Sequence, residues 1–167
     1  MSEFSRTVDL RQLALQPVHL EATSDECAAL AARFGLVAVS RLVADLTLEQ
    51  DHDSVRARGR FAAEVVQSCA VSAEDLPVRI AETLDLRFIA AGSGQPGEEV
   101  ELEADALDEI EFSGTTIDLG EAVAQSLALA IDPFLEGSDA ERVRAELLAD
   151  RGASGPFAAL AGLKKPN

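Results

Sequence analysis

The side chains of this sequence best suited to nucleophilic or metal chemistry are two histidines and two cysteines. His19 lies in an extended stretch, and His52 lies between two aspartates that could help it contact a metal ion. Such residues are also typical of a solvated turn, which is the interpretation we favour, and no histidine spacing matches a zinc motif. Cys27 is expected in the core. Cys69 is expected to be a half-buried structural thiol, because a nucleophile would need a nearby base and a lowered pKa.

Clustered carboxylates form the second candidate group. Residues 98–111 hold eight acidic side chains and no basic one. Asp105, Asp108 and Glu109 could bind Mg²⁺, which needs few protein carboxylates, and a metal-dependent hydrolase is the enzyme this would allow. Clustered acids without surrounding structure more often form a solvated or loosely ordered loop, and the scattered apolar residues of this segment would also allow a short edge strand. We therefore predict no catalytic residue, no metal site, no cofactor and no enzymatic activity.

A basic row forms the third candidate group. Arg56, Arg58 and Arg60 share one face of a predicted strand. They could contact RNA phosphates. They could instead pair with Asp45 and Glu49 on the neighbouring strand, which is the interpretation we favour because the charges match.

The hydrophobic pattern predicts the elements that position these residues. Thr23 and Glu26 have capping-box spacing before one helix, and Asp118 is a suitable N-cap for another. Alternation predicts strands at 41–50, 55–66 and 78–89, and helical spacing predicts helices at 24–34, 118–131 and 141–149. The expected fold class is α+β: an antiparallel β-meander, open or curled towards a barrel, packed with two or three helices.

Charge is distributed unevenly along the chain, whose net charge is −16. Residues 91–150 hold two basic and sixteen acidic side chains, whereas residues 151–167 hold three basic side chains and no acidic one. This field disfavours nonspecific nucleic-acid binding, and it suits either a basic partner or solubility alone. There is no apolar signal segment or membrane-length run, and two cysteines are too few for a disulfide scaffold. We predict a cytoplasmic protein without a membrane partner.

We expect one α+β domain over residues 1–151, with an acidic loop at about 91–114, and a C-terminal docking segment over 152–167. In that segment Phe157, Leu160 and Leu163 form an apolar stripe before two lysines. The stripe could dock onto the core of the chain or into the groove of a partner, and the pattern does not separate the two.

Several segments, taken in order, resemble the YceD-like family of large ribosomal RNA subunit accumulation proteins. Residues 117–133, IDLGEAVAQSLALAIDP, are similar to the helix of that family, and residues 156–164, PFAALAGLK, are similar to its C-terminal motif. Residues 59–69 are similar to a family strand that ends in a cysteine, and residues 4–6 and 10–13 fit the alphaproteobacterial branch. Relatives often carry a second cysteine where this chain has Ser72, and an asparagine where it has Gly155.

The resemblance implies a non-enzymatic role in the accumulation or processing of large-subunit ribosomal RNA and in ribosome assembly. The implied partner is a ribosomal protein or an assembly intermediate that contains large-subunit RNA, with direct RNA binding through the arginine row as the alternative. The candidate partner-binding residues are Asp118, Glu121, Asp132, Pro133, Pro156, Phe157, Leu160, Leu163 and Lys164.

Overall fold

A computed structural model describes residues 2–12, 17–51, 54–91 and 108–154, with only the backbone described at residues 12, 51, 108 and 150–154. The strands are β1 (Thr7–Asp9), β2 (Val18–Glu21), β3 (Ala38–Asp51), β4 (Ser54–Ser68), β5 (Asp75–Ala90), β6 (Asp108–Phe112) and β7 (Thr116–Asp118). The helices are α1 (Ser24–Phe34), α2 (Leu119–Ala130) and α3 (Ala140–Ser154), and Leu10–Gln12 forms a 3-10 turn. The chain divides into two compact units, one of residues 1–66 with 77–131 and one of residues 67–76 with 132–167.

The main sheet has five strands in the order β2-β3-β4-β5-β6. Strand β3 pairs antiparallel with both β2 and β4, and β5 pairs parallel with β6. The sheet is open, with β2 and β6 at its edges, so it does not close into a barrel. The predicted α+β class with a mostly antiparallel sheet is confirmed.

Alternation along the long strands separates a buried face from a wet face, as the pattern predicts. The buried face carries Leu42, Ala44, Leu46 and Leu48 of β3 and Val55, Ala57, Phe61, Ala63 and Val65 of β4. Glu82 of β5 is exposed and interrupts the alternation of that strand. Burial of each large apolar side chain in this way stabilises the fold by roughly 1.5–3 kcal/mol. Apolar residues therefore occupy the buried face, and polar residues occupy the wet face.

Helix α1 begins with the predicted capping box. The Thr23 hydroxyl accepts a hydrogen bond from the Glu26 backbone N–H at 3.3 Å, and the Glu26 carboxylate accepts one from the Thr23 N–H at 2.8 Å. The helix buries Cys27, Leu30 and Ala31 and ends before Gly35. It packs on β3 and covers one part of the apolar face.

Helix α2 is joined to the N-terminal segment by a second, two-stranded sheet. Strand β1 pairs antiparallel with β7, with Val8 opposite Ile117. The Leu119 N–H donates to the Arg6 carbonyl oxygen at 3.0 Å, which carries the pairing into the first turn of α2. Phe4, which is completely buried, belongs to the same core as Leu119, Val123 and Leu127 of the helix. The sequence pattern did not predict this second sheet.

The predicted acidic loop at about 91–114 contains an ordered strand. Residues 108–112 form β6, which matches the short edge strand that its scattered apolar residues allow. Residues 92–107 lie outside the described part of the chain. Ile110 and Phe112 pack against the core, and this explains why an acidic segment contributes a strand here.

The second unit contains the turn after β4, the loop after α2 and helix α3. The Ala70 N–H donates to the Leu135 carbonyl oxygen at 2.9 Å and joins the turn to the loop. Helix α3 runs to Ser154, five residues beyond its predicted end at 149. The docking segment predicted for 152–167 therefore lies outside the described residues from 155 onwards, and its boundary stays a prediction. None of the described helices is long and apolar enough to cross a membrane.

Candidate functional site

Asp118 is the N-cap of α2, as predicted. Its carboxylate accepts hydrogen bonds from the Glu121 N–H at 3.1 Å, the Arg6 N–H at 2.8 Å and the Ser5 hydroxyl at 2.5 Å. The Asp118 carboxylate is therefore bound by three hydrogen-bond donors, one from α2 and two from the N-terminal segment. A partner that bound Asp118 would have to replace or share these bonds.

Glu121, one turn into α2, is similarly occupied. Arg33 donates to its two oxygens at 2.7 and 2.9 Å, and the Ser2 hydroxyl donates at 2.6 Å. The Arg33 guanidinium lowers the pKa of Glu121 to about 2, and the Ser2 hydroxyl and the Gln125 amide act in the same direction. Glu121 is thus a fixed anion that holds α1, α2 and the N-terminal segment together.

Arg6 and Arg33 form further ion pairs between α1 and the N-terminal segment. The sequence pattern did not predict these pairs. Arg6 donates to both oxygens of Glu26 at 2.6 and 2.9 Å, and Arg33 also donates to Glu3 at 2.8 Å. The hydrogen bond from Arg6 lowers the pKa of Glu26 to about 2. A local pattern could not reveal these pairs, because the partners are 20 or more residues apart in the chain.

Asp132 and Pro133 lie in the second unit, just after α2. Both are exposed. The Asp132 carboxylate accepts from the Phe134 N–H at 2.9 Å, and its carbonyl oxygen accepts from the Gln67 amide at 2.9 Å. The Phe134 side chain is 79% exposed, which is unusual for an aromatic residue and was not predicted as a contact. The other predicted partner contacts, Pro156, Phe157, Leu160, Leu163 and Lys164, lie outside the described residues.

The arginine row lies on the wet face of β4, but its three members differ in their contacts. Arg56 binds Asp85 of β5 through two hydrogen bonds of 2.6 and 2.5 Å. Arg58 lies 3.4 Å from Asp85 and 3.7 Å from Glu49. Arg60 has no ionic partner among the described residues. The favoured pairing with Glu49 is thus present for Arg58, while Asp85 is an additional partner that the pattern missed.

Asp45 does not pair with the arginine row. It stands directly opposite Arg60 in the strand register, but its carboxylate contacts the His19 ring at 2.7 Å instead. Asp45, which was expected to pair with the arginine row, therefore pairs with His19 on β2. This difference arises because β2 also borders β3, which strand alternation alone did not show.

Cys69 lies in the second unit and is buried, like Cys27 in the first. Its sulfur accepts backbone N–H groups from Gly137 at 3.3 Å, Ser72 at 3.3 Å and Val71 at 3.5 Å. The Gly137 N–H contributes most to lowering the pKa of this thiol to about 7. The thiol was expected to be structural and half-buried. It is more buried than expected, and its polar surroundings favour the thiolate.

The candidate metal ligands are not brought together in the described part of the chain. Glu109 on β6 lies 3.5 Å from Arg87, whereas His52 and Asp105 lie outside the described residues, as does the side chain of Asp108. Among the residues that are described, no three His, Cys, Asp or Glu side chains group together.

A protein-family model matches most of the chain. The family model described as Large ribosomal RNA subunit accumulation protein YceD matches residues 57–164, more than half of the chain. The matched range includes Arg58 and Arg60 of the arginine row, α2, the exposed Phe134 and the C-terminal motif. No curated protein and no solved structure matches the chain.

Proposed function

The chain belongs to the YceD family of large ribosomal RNA subunit accumulation proteins, and we propose that it serves this role by binding rather than by catalysis. Its partner in this proposal is a ribosomal protein or an RNA–protein assembly intermediate. Such a role places it in the cytoplasm, where ribosomal subunits are assembled.

The observation that carries the proposal is the set of exposed apolar side chains on the second unit. Phe134 is 79% exposed, Leu148 is 64% exposed and Leu147 is 54% exposed. Exposure of a large apolar side chain to water is energetically unfavourable. Exposed apolar groups that lie together commonly mark interaction sites. The match to the family covers all three residues.

Charge supports a basic partner for the same unit. Glu136, Asp139, Glu141 and Glu146 are exposed on it, and the arginines that pair with them, Arg142 and Arg144, only partly balance their charge. A partner with positive potential would be steered to this surface, and salt would weaken the attraction. The apolar side chains would then supply contact area that salt does not weaken.

The experiment is capture of ribosomal components by the tagged full chain, at about 50 mM and at about 500 mM salt. We expect large-subunit components in the bound fraction at low salt and less of them at high salt. A Phe134→Ser/Leu148→Ser variant should capture less at both salt concentrations. Leu129→Ser is a matched control, because Leu129 is 83% exposed but lies on the first unit.

Failure to recover any large-subunit component at either salt concentration would contradict the proposal. Equal loss of capture in the Phe134/Leu148 variant and in the Leu129 control would still agree with binding as the function. It would exclude the second unit as the specific binding surface.

Direct RNA binding through the wet face of β4 is the second candidate. It is favoured by Arg60, which is exposed and has no described ionic partner, but weakened by the engagement of Arg56 and Arg58 with Asp85. Replacing all three arginines with glutamate should abolish retention of large-subunit RNA if this candidate is right. Unchanged retention in a folded variant would exclude it.

A further inference from the structure

One side of β5 has no strand beside it along much of its length. Strand β5 covers Asp75–Ala90, and β4 lies on one side of it, while β6 pairs on the other side with Leu86–Ala90. In the described part of the chain, no other strand borders β5 on the β6 side. The stretch from Pro77 to Asp85, which belongs to the first unit, is therefore an open strand edge about 26 Å long. We call it the β5 edge.

The hydrogen bonds to β6 identify the backbone groups that this edge presents. Ala90 stands opposite Phe112, and the Ala91 N–H donates to the Phe112 carbonyl oxygen at 2.8 Å. In a parallel pair, this bond means that the odd-numbered residues of β5 direct their N–H and C=O groups towards β6. Because the direction alternates along a strand, residues 79, 81 and 83 direct theirs towards the open edge. All three residues are exposed, and no described group bonds to their backbone on that side.

An open edge with several free backbone groups can accept an extended segment of another chain as an added strand. Backbone hydrogen bonds supply the affinity of such a contact, and neighbouring side chains supply its selectivity. On the apolar face of the sheet, Ile80 and Leu84 are buried, whereas Glu82 between them is exposed. A segment added to the β5 edge would therefore place two apolar side chains beside Ile80 and Leu84 and a third side chain beside Glu82.

Glu82 is the uncompensated charge of the β5 edge. Arg79 lies 3.4 Å from Glu64, and Asp85 accepts two hydrogen bonds from Arg56, so both have ionic partners on the sheet. Glu82 has no ionic partner among the residues that the structure describes. A cation opposite Glu82 would supply that partner, and the net charge of −16 would attract a basic segment to the chain.

A second copy of this chain does not supply the cation. Residues that stand opposite each other in a sheet project to the same face, and on this face the edge carries Val78, Ile80, Glu82 and Leu84. Two β5 edges paired about a two-fold axis would therefore place Glu82 opposite an apolar side chain or opposite itself. Charged side chains on a strand edge are one way in which proteins prevent this kind of self-pairing.

We propose that the β5 edge binds an extended segment of a basic partner protein as an added strand. A lysine or arginine of the segment stands opposite Glu82, and apolar side chains stand opposite Ile80 and Leu84. This contact is made by the first unit and does not use the exposed apolar side chains of the second unit.

The test measures fluorescence anisotropy of a labelled peptide, Thr-Val-Thr-Lys-Thr-Val-Thr, with the full chain. The peptide reads the same in both directions, so it can add parallel or antiparallel to β5. One form is N-methylated at the threonines and the other at the valines and the lysine, which also prevents the probe from pairing with itself. Because an added strand bonds through alternate residues, one form should bind saturably and the other should not. Equal binding of the two forms, or binding of neither, overturns the proposal.

A charge reversal tests the position of the cation. Wild type should bind the lysine peptide at least about threefold more tightly than the same peptide with a central glutamate, and Glu82→Lys should prefer the glutamate peptide. Glu111→Lys, which makes the same change at an exposed position of β6, is the matched control and should keep the wild-type preference. The same change of preference in both variants would assign the effect to net charge and overturn the proposal.

Ala81→Pro tests the backbone contact. It removes the central N–H of the open edge, and an edge strand tolerates proline where that N–H has no partner. The variant should bind the favoured form at least about tenfold more weakly, while its urea unfolding midpoint stays close to that of wild type. A clear loss of stability would show that the edge is already paired within the chain, and it would overturn the proposal.

Two other occupants would also overturn the proposal. One is a second copy, shown by a dimer in sedimentation that Ala81→Pro dissociates. The other is RNA, shown by binding of a labelled oligouridine in place of the peptides that Ala81→Pro abolishes. None of these results depends on capture of ribosomal components.

Discussion

Gly120 in the first turn of α2 and Phe4 near the N-terminus are in such close contact that no other residue type fits at position 120. A Cβ atom on Gly120 would lie 2.5 Å from the Phe4 carbonyl oxygen and 2.9 Å from the Arg6 backbone nitrogen. Both neighbours are backbone atoms, which cannot move aside as the end of a flexible side chain can. The N-terminal segment is thus a structural part of the first unit and not an appendage.

Replacing Gly120 with alanine should therefore destabilise the protein. We expect the free energy of unfolding to fall by about 2–4 kcal/mol, because the segment must shift and uncover Phe4. Urea unfolding measures the change. Leu129→Ala, at an exposed position of the same helix, should change stability by less than about 0.5 kcal/mol. A Gly120→Ala protein as stable as wild type would show that the close packing of residues 4–6 on α2 is wrong.

Asp118→Ala should remove the N-cap of α2 and two anchors of the N-terminal segment in one step. Loss of an N-cap costs about 1–2 kcal/mol, and here the Arg6 N–H also loses its acceptor. Ser5→Ala removes one of the three donors and should cost much less. Hydrogen exchange of the Arg6 amide should accelerate in the Asp118 variant and remain slow in the Ser5 variant. Equal exchange in the two variants would argue against Asp118 as the anchor.

Patterns close together in the chain predicted much of the fold. Thr23 and Glu26 marked the start of α1, Asp118 marked the start of α2, and alternation identified the three long strands. The pairing of β1 with β7 was not predictable, because Val8 and Ile117 are more than 100 residues apart in the chain. The sequence predicts the parallel strand β6 only as one option, because its acids hide the apolar alternation of Ile110 and Phe112.

The candidate sites were less predictable for the same reason. Sequence reasoning placed the arginine row on one strand face, but which arginines are paired depends on Asp85 of β5 and His19 of β2. Spacing within one strand cannot specify such neighbours.

Acid should weaken the connection between the N-terminal segment and the two helices. The folded-state pKa values of Glu26 and Glu121 are lowered from 4.5 to about 2 by Arg6 and Arg33. Since the folded values lie below the unfolded ones, their stabilisation is complete above about pH 4.5 and is lost as the pH falls towards 2. Unfolding curves over this range should show wild type losing stability more steeply than Glu121→Gln.

The glutamine variant should also be less stable at neutral pH, by about 1–2 kcal/mol, because Arg33 and Ser2 lose a charged acceptor. Glu111→Gln, which changes an exposed carboxylate on β6, is the matched control and should follow the wild-type pH dependence. An identical pH dependence in the Glu121 variant and in wild type would mean that this pair does not contribute.

The two thiols should titrate separately. Three backbone N–H groups lower the pKa of Cys69 to about 7, whereas burial raises the pKa of Cys27 above its ordinary value of 9. In a Cys27→Ser protein, thiolate absorbance in the ultraviolet should therefore be half-developed near pH 7. A Cys69→Ser protein should show no thiolate at that pH. Titration of both thiols near the ordinary value would contradict the described surroundings of Cys69.

The proposed role is large-subunit RNA accumulation through contacts of the second unit. The most direct measurement is the ratio of large-subunit to small-subunit ribosomal RNA in cells depleted of this protein and then supplied with variants. We predict that depletion lowers the ratio, and that wild type and Leu129→Ser restore it while Phe134→Ser/Leu148→Ser does not. A ratio unchanged by depletion, or restored equally by all three proteins, would contradict the account.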